Sequence, residues 1–262
     1  MRSEIPLAVQ GTLRRWISGV TVLTAGGLEG CRALVHVPDP SISLVFRMTT
    51  EGRGNLVVTG PRTRASYYAS KDFPLCLIVR LRPGTAPLVL AAPARELADR
   101  VVGVGELWEG SQGLLSALAA SAGDRQLVLK HLETALLARI TTRTVADLSR
   151  SQLVQAAASH LAGGPGRAPQ AMPIAAKRLA ISERHLRNLF AEWTGLPPKQ
   201  FQRISRISQV LANVRGGTPH WAQLAATAGY YDQSHMTAEF RAMMGVSPAA
   251  FSAGHLPPLQ YC

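Results

Sequence analysis

A chain that repeats one unit must build its fold from that unit, and the C-terminal part of this sequence matches itself without a gap at an offset of 50 residues. Ile174, Ala175 and Ala176 fall on Leu224, Ala225 and Ala226, and Ser182 falls on Asp232. His185 meets His235, Leu186 meets Met236, Phe190 meets Phe240, Gly195 meets Gly245, Pro198 meets Pro248 and Phe201 meets Phe251. So many chemically alike pairs at one offset define a duplicated structural unit.

Each copy reads as a short apolar-periodic helix (Ile174 to Ala180, Trp221 to Ala228), a brief turn, and a capping residue, Ser182 or Asp232. The hydroxyl or carboxylate accepts from a first-turn backbone N–H and so starts a second helix. Gly229 supplies permissive backbone to the second turn. Helix, short turn and helix make a helix-turn-helix unit, predicted at about 173–195 and again at about 221–245. Between them, residues 198–214 form one helix with Phe201, Ile204, Ile207 and Leu211 along a face, a spine that holds the units at a fixed separation.

The second helix of each unit sorts its residues into two faces. Leu186, Leu189, Phe190 and Trp193 point inward in the first copy, leaving Glu183, Arg184, Arg187, Asn188 and Ala191 outside. Arginine forks match guanine O6 and N7, and asparagine matches adenine N6 and N7, so this face has the chemistry of major-groove readout. In the second copy Met236, Phe240 and Met243 point inward, with Gln233, Ser234, Thr237, Ala238 and Arg241 outside. Recognition helices about 34 Å apart would enter successive major-groove turns on one side of a duplex.

The preceding half has a different grammar. Short β-branched runs (Val20 to Thr24, Ile42 to Arg47, Leu56 to Thr59, Leu75 to Leu81) alternate with Gly, Pro and Asp clusters, which predicts a small antiparallel sheet or barrel. Glu96 to Val102 and Leu114 to Ala120 read as short helices. Asp124 caps a longer one in which Leu129, Leu132, Leu136 and Ile140 form a stripe that either packs on its own domain or pairs with a second copy. Residues 141–150 are polar and read as a linker into a helix from about Ser151 to Leu161, and the run GGPGRAPQAMP from Gly163 breaks the chain. The fold class is therefore α+β: a β-rich N-terminal domain with a helical end (1–145), then an all-α double helix-turn-helix domain (150–262).

Charge narrows the partners. The formal net charge is +12, and with 47% hydrophobic and 17% charged residues both parts fold, so a polyanion such as double-stranded DNA is the first partner to consider. No apolar run approaches the roughly 20 residues of a spanning helix. The opening MRSEIPLAVQGT puts Glu4 and Pro6 where a signal sequence needs an apolar run, so a cytoplasmic chain without membrane contact is expected. Three cysteines, Cys31, Cys76 and Cys262, lack CxxC spacing, and His36, His131, His185 and His235 have no neighbouring ligand, so neither a metal site nor a cofactor is assigned. No GxSxG, phosphate loop or paired-carboxylate pattern occurs, and no catalytic residue is assigned; Glu106 and Glu109 around Trp108 read as a solvated turn.

The stretches LAISERHLRNLFAEWTGLPPKQF (Leu179 to Phe201) and GYYDQSHMTAEFRAMMGVSPAAF (Gly229 to Phe251) resemble the first recognition helix with its linker and the C-terminal signature of the AraC/XylS family of transcription regulators. The resemblance covers about Arg150 to Phe251. It implies a sequence-specific DNA-binding regulator, activator or repressor, with RNA polymerase as a further partner. The family's base-reading positions fall on Arg184, Arg187 and Asn188 in the first unit and on Gln233, Ser234 and His235 in the second. Lys199 and Arg241 take phosphates, with Ser182, Asp232 and Thr237 as positioning contacts. Ala238 departs from the pattern, where arginine is frequent, and offers only a methyl group. The stretches LVHVPDPSISLVF (Leu34 to Phe46) and LIVRLRPGTAPLVLAAPARELADRVV (Leu77 to Val102) resemble a sensor-like domain found in front of some such modules, which implies a small-molecule effector. Two alternatives remain open at this point: a thiol-based alkyl acceptor using Cys31, and an architectural DNA binder that needs no ligand.

Overall fold

The structure, a computed structural model, describes residues 5–7, 11–24, 33–49, 51–69, 74–90, 92–163, 169–214 and 220–260. The chain is α+β, with its strands in the first part and helices alone in the last. Its strands are β1 (Ile5–Leu7), β2 (Ile17–Thr24), β3 (Ala33–His36), β4 (Ser43–Met48), β5 (Gly54–Thr59), β6 (Ser66–Ala69), β7 (Leu75–Leu81) and β8 (Val101–Gly103). Six form an antiparallel sheet in the order β1-β2-β7-β4-β5-β8, and β3 pairs with β6 as a separate antiparallel ribbon.

Period-two alternation gives the sheet two apolar-lined faces. Leu44, Phe46, Leu56, Val58, Leu77 and Val79 are buried against the helices. Ser43, Val45, Arg47, Val57, Cys76, Ile78 and Arg80 line a cavity on the opposite face, closed by the β3–β6 ribbon. The helices of the first part are α1 (Ala86–Val89), α2 (Val104–Leu107), α3 (Ser111–Ala120) and α4 (Arg125–Thr141). Asp124 caps α4 as predicted, its carboxylate accepting from the N–H groups of Gln126 and Leu127. Leu129, Leu132, Leu136 and Ile140 are buried within the chain, so the stripe is consumed by intramolecular packing and is not a dimerisation face. Trp16 and Trp108 are core residues, the latter beneath the Arg139 guanidinium at 4.9 Å.

Two sequence readings are corrected. The segment Glu96 to Val102 is not a helix: a 3-10 turn at Ala94–Leu97 leads into the edge strand β8, which pairs with β5. The polar stretch 141–150 is not a linker, because α5 (Val145–Ala162) already starts inside it. Thr144 caps α5, accepting from the Asp147 N–H while its hydroxyl donates to the Asp147 carboxylate. The polarity that suggested a linker is that of an exposed first turn.

The last part contains α6 (Met172–Arg178), α7 (Glu183–Thr194), α8 (Pro198–Val214), α9 (Trp221–Thr227), α10 (Gln233–Met244) and α11 (Pro248–Ser252). α5 packs on α6, α7 and α8 and also touches α1, tying the two parts together. At the end of α7, Gly195 adopts φ +79°, and a Cβ there would lie 2.5 Å from the Ala94 carbonyl oxygen of the 3-10 turn. Gly245 closes α10 with φ +74°, but a Cβ there would meet only Pro257 at 3.5 Å. Gly245→Ala should therefore cost about 1 kcal/mol, the left-handed penalty alone. Gly195→Ala should cost clearly more, because backbone must also move. Urea unfolding of both variants checks the order; equal losses would mean that Gly195 is not pressed against the N-terminal part.

Candidate nucleic-acid interface

The two helix-turn-helix units share their plan at the caps, helix ends and ring contacts. In the first, the Ser182 hydroxyl accepts from the His185 N–H at 3.2 Å; in the second, the Asp232 carboxylate accepts from the His235 N–H at 2.7 Å. Both recognition helices, α7 and α10, run twelve residues and end at a left-handed glycine, Gly195 or Gly245. Phe190 meets Phe201 edge-on at 5.1 Å, and the equivalent Phe240 meets Phe251 at 5.9 Å.

The offset of 50 holds only from the caps onward. Before them the equivalence is 49: Met172 and Trp221 both open their helices, Ala176 and Ala225 are both buried, and the Ile181 and Tyr230 N–H groups donate to the carbonyls of Ala176 and Ala225. Ala175 therefore matches Leu224, and Ile174, half exposed, has no place in the first core. The second turn holds one residue more, and Tyr231, just before its cap, is 93% exposed. Both turns go left-handed at the same equivalent position, Ala180 (φ 54°) in the first and Gly229 (φ 77°) in the second, where only the second copy has the glycine that this backbone favours.

Leu186, Leu189, Phe190 and Trp193 are buried as predicted, as are Met236, Phe240 and Met243. Arg184, His185, Arg187 and Asn188 are exposed on α7, and Gln233, Ser234, His235, Ala238 and Arg241 on α10, with Thr237 partly so. Lys199, in the first turn of α8, is exposed beside the end of α7. Sequence reasoning did not foresee that Arg187 forms an i,i+4 ion pair with Glu183 on the reading face itself. An exposed pair of this kind is worth only some 0.3–0.5 kcal/mol, so a guanine can compete for the guanidinium. Arg184 and Asn188 make no hydrogen bond or ion pair to the described residues.

The spine that joins the units is clasped from within. Glu239 lies on the buried side of α10, 7% exposed. Its carboxylate accepts from Arg203 Nε at 2.9 Å, from Arg206 at 3.0 and 3.2 Å, and from the Tyr230 hydroxyl at 2.9 Å. The Arg206 guanidinium also sits 4.9 Å over the Tyr230 ring. α8 thus grips both the turn and the recognition helix of the second unit. Burial works against the charge of Glu239, but the hydrogen bonds from Arg203 and Tyr230 and the nearby Arg206 outweigh it and hold the carboxyl below its ordinary value. Burial first, and Glu239 second, push the Tyr230 hydroxyl up. The signal for this clasp was present in the sequence: Glu239 interrupts the inward stripe Met236, Phe240 and Met243 where the first copy has Leu189.

Cys31 lies outside the described residues, as does Cys262. Cys76 is buried. No group of three or more His, Cys, Asp or Glu able to hold a metal occurs among the described residues. Among them, too, no helix is long and apolar enough to cross a membrane.

Two capped and exposed recognition helices on one shared spine define a double helix-turn-helix DNA-binding protein. Residues 175–254 match the family described as a helix-turn-helix domain, which is of the AraC type. The chain thus carries an AraC-type helix-turn-helix domain and is a DNA-binding transcription regulator. A comparison with curated proteins gives no match. Among solved structures, the DNA-binding domain of AdpA, a global transcriptional factor in complex with a target DNA, is 24% identical over 40% of this chain and 91% of that one, with a TM-score of 0.35. ToxT from Vibrio cholerae is 10% identical over 91% of this chain and 98% of that one, with a TM-score of 0.43. Unsaturated fatty acid bound ToxT from strain SCE256 of that organism is 11% identical over 96% and 100%, with a TM-score of 0.42.

With its folded value depressed, Glu239 contributes stability that is complete above the ordinary carboxylate range and is lost as pH falls through the lowered value. Glu239→Ala, which strands Arg206 in a largely buried site, should cost about 3 kcal/mol. Glu239→Gln should flatten the acid limb of the stability curve. Urea unfolding between neutral and acid pH reads both; an unchanged acid limb in Glu239→Gln would remove the clasp from the account.

Proposed function

We propose that this regulator reads sequence with two recognition helices entering successive major grooves from one side of the duplex, and that its N-terminal part carries an effector cavity. The observation that supports it is the pair of exposed helices, each capped by a side chain three residues before its histidine, held by one clasped spine. Arg184, Arg187 and Asn188 read bases from α7, with Arg187 exchanging Glu183 for a guanine edge. Gln233, Ser234 and His235 read from α10, where Ala238 offers a methyl and makes this the weaker reader. Lys199 and Arg241 hold phosphates, and Ser182, Asp232 and Thr237 position the helix starts against the backbone. The protein acts in the cytoplasm at promoters, where RNA polymerase is its functional partner. One chain supplies both contacts, so a homodimer would extend the site rather than create it.

Binding should weaken steeply with salt, since most of its free energy comes from neutralised phosphates. Arg187→Ala should lose about 1–3 kcal/mol on specific DNA and relax preference at one base pair, while Lys199→Ala weakens all sequences alike and lowers the salt slope by about one. Fluorescence anisotropy on the protein's own upstream DNA and a shuffled control, across a salt series, measures both. Equal losses for Arg187→Ala on the two DNAs would remove base reading from α7.

A further inference from the structure

The cavity between the sheet and the β3–β6 ribbon has a volume of about 600 Å³, within the roughly 300–1,000 Å³ range of small-molecule sites. Its floor is apolar: Leu23, Val45, Val57 and Ile78 stand on four adjacent strands. Among the described lining residues its charge is one-sided, with five arginines (Arg47, Arg62, Arg64, Arg80 and Arg100) against Asp39 and Asp99. Both carboxylates already accept hydrogen bonds from the chain. Asp39 accepts from the Ser41 N–H at 2.8 Å and lies 3.8 and 3.7 Å from Arg62 and Arg80. Asp99 accepts from the Thr63 N–H and hydroxyl at 2.7 and 2.6 Å. A low-dielectric wall behind these arginines focuses a positive field, and their forks match carboxylate or phosphate oxygens. Burial already pulls the Arg62 guanidinium below its ordinary value despite Asp39, the state an added anion would relieve.

One wall of this cavity is also the seat of the second helix-turn-helix. On β6, Ser66 and Tyr68 line the cavity, while the Tyr67 hydroxyl between them donates to the Met244 carbonyl at the end of α10, at 2.6 Å. The Ala65 N–H donates to the Met243 carbonyl at 2.8 Å, and Gln260 pairs with β6 from the other edge. A four-residue strand therefore separates any occupant from the terminus of a recognition helix.

We propose that the cavity takes a small amphipathic organic anion, an acidic carboxylate or phosphate head on an apolar body, and that β6 carries its occupancy to the second helix-turn-helix. This rests on the effector reading above. The test uses the full chain in isothermal calorimetry with decanoate, decyl phosphate, decanol, decylammonium and inorganic phosphate. Decanoate or decyl phosphate should bind at least tenfold more tightly than decanol, decylammonium or inorganic phosphate; which head wins separates a carboxylic acid from a phosphate ester as the natural class. Arg47→Gln should weaken the anion tenfold or more and leave decanol unchanged. If that variant does not fold, the exposed double variant Arg64→Gln/Arg100→Gln should show the same selective loss, several-fold in size. The bound anion should change the Kd for upstream DNA several-fold, and Tyr67→Phe, which removes only the hydroxyl on Met244, should keep anion binding and diminish that change. Equal binding of decanol or decylammonium, binding of inorganic phosphate as tight as decyl phosphate, no binding of any probe, or a DNA affinity indifferent to the bound anion would each overturn the proposal. If upstream DNA is still preferred over shuffled DNA in those cases, the regulator reading survives; if that preference is absent in ligand-free protein, the regulator reading itself fails.

Discussion

The buried carboxylate of Glu239 ties the DNA-binding half together. A charge 7% exposed is tolerable only with strong donors around it, and here Arg203, Arg206 and Tyr230 supply four hydrogen bonds. Two of those donors stand on the spine helix α8 and one in the turn of the second unit, so the orientation of α10 relative to α8 is set by directional bonds. The first unit lacks this device, having Leu189 at the equivalent place. Its α7 is fixed by apolar packing on α5 and α8 and by the close approach of Gly195 to Ala94.

The second unit is anchored to the N-terminal part differently, through main-chain and hydroxyl bonds from one short strand to the end of its recognition helix. Hydrogen bonds of this kind are worth about 1 kcal/mol each. The two reading heads thus differ in kind. On the proposed reading the first carries the better base-reading side chains, while the second has weaker readers, the Glu239 clasp and a seat shared with a cavity wall. That division would give the proposed regulator one head for specificity and one open to control.

Most of the C-terminal domain was legible because duplication and helical periodicity repeat the same message. The caps Ser182 and Asp232, the inward stripes and the spine all follow from residue spacing. Register before the caps was misleading: Ile174, Ala175 and Ala176 match Leu224, Ala225 and Ala226 best at an offset of 50, and only the turn hydrogen bonds from Ile181 and Tyr230 show that it is 49. In the N-terminal part the central strands read clearly from β-branched runs, whereas β3, β6 and β8 are too short to carry a period. β8 read as helix because a three-residue edge strand is defined by its partner β5, not by its own sequence. The cavity arginines lie far apart in sequence, at 47, 62, 64, 80 and 100, and converge only through the order of strands in the sheet.

On the proposed reading a single chain places two recognition helices into successive grooves on one face of DNA. Hydroxyl-radical footprinting on high-affinity DNA selected from a random pool tests it most directly, with the protein held at a concentration where it is monomeric. Two protected patches are expected on one face of the duplex, separated by about one helical turn of 10–10.5 base pairs, with Glu239→Gln blurring the patch under α10 more than the one under α7. A single patch, or protection that winds around both faces, would contradict it.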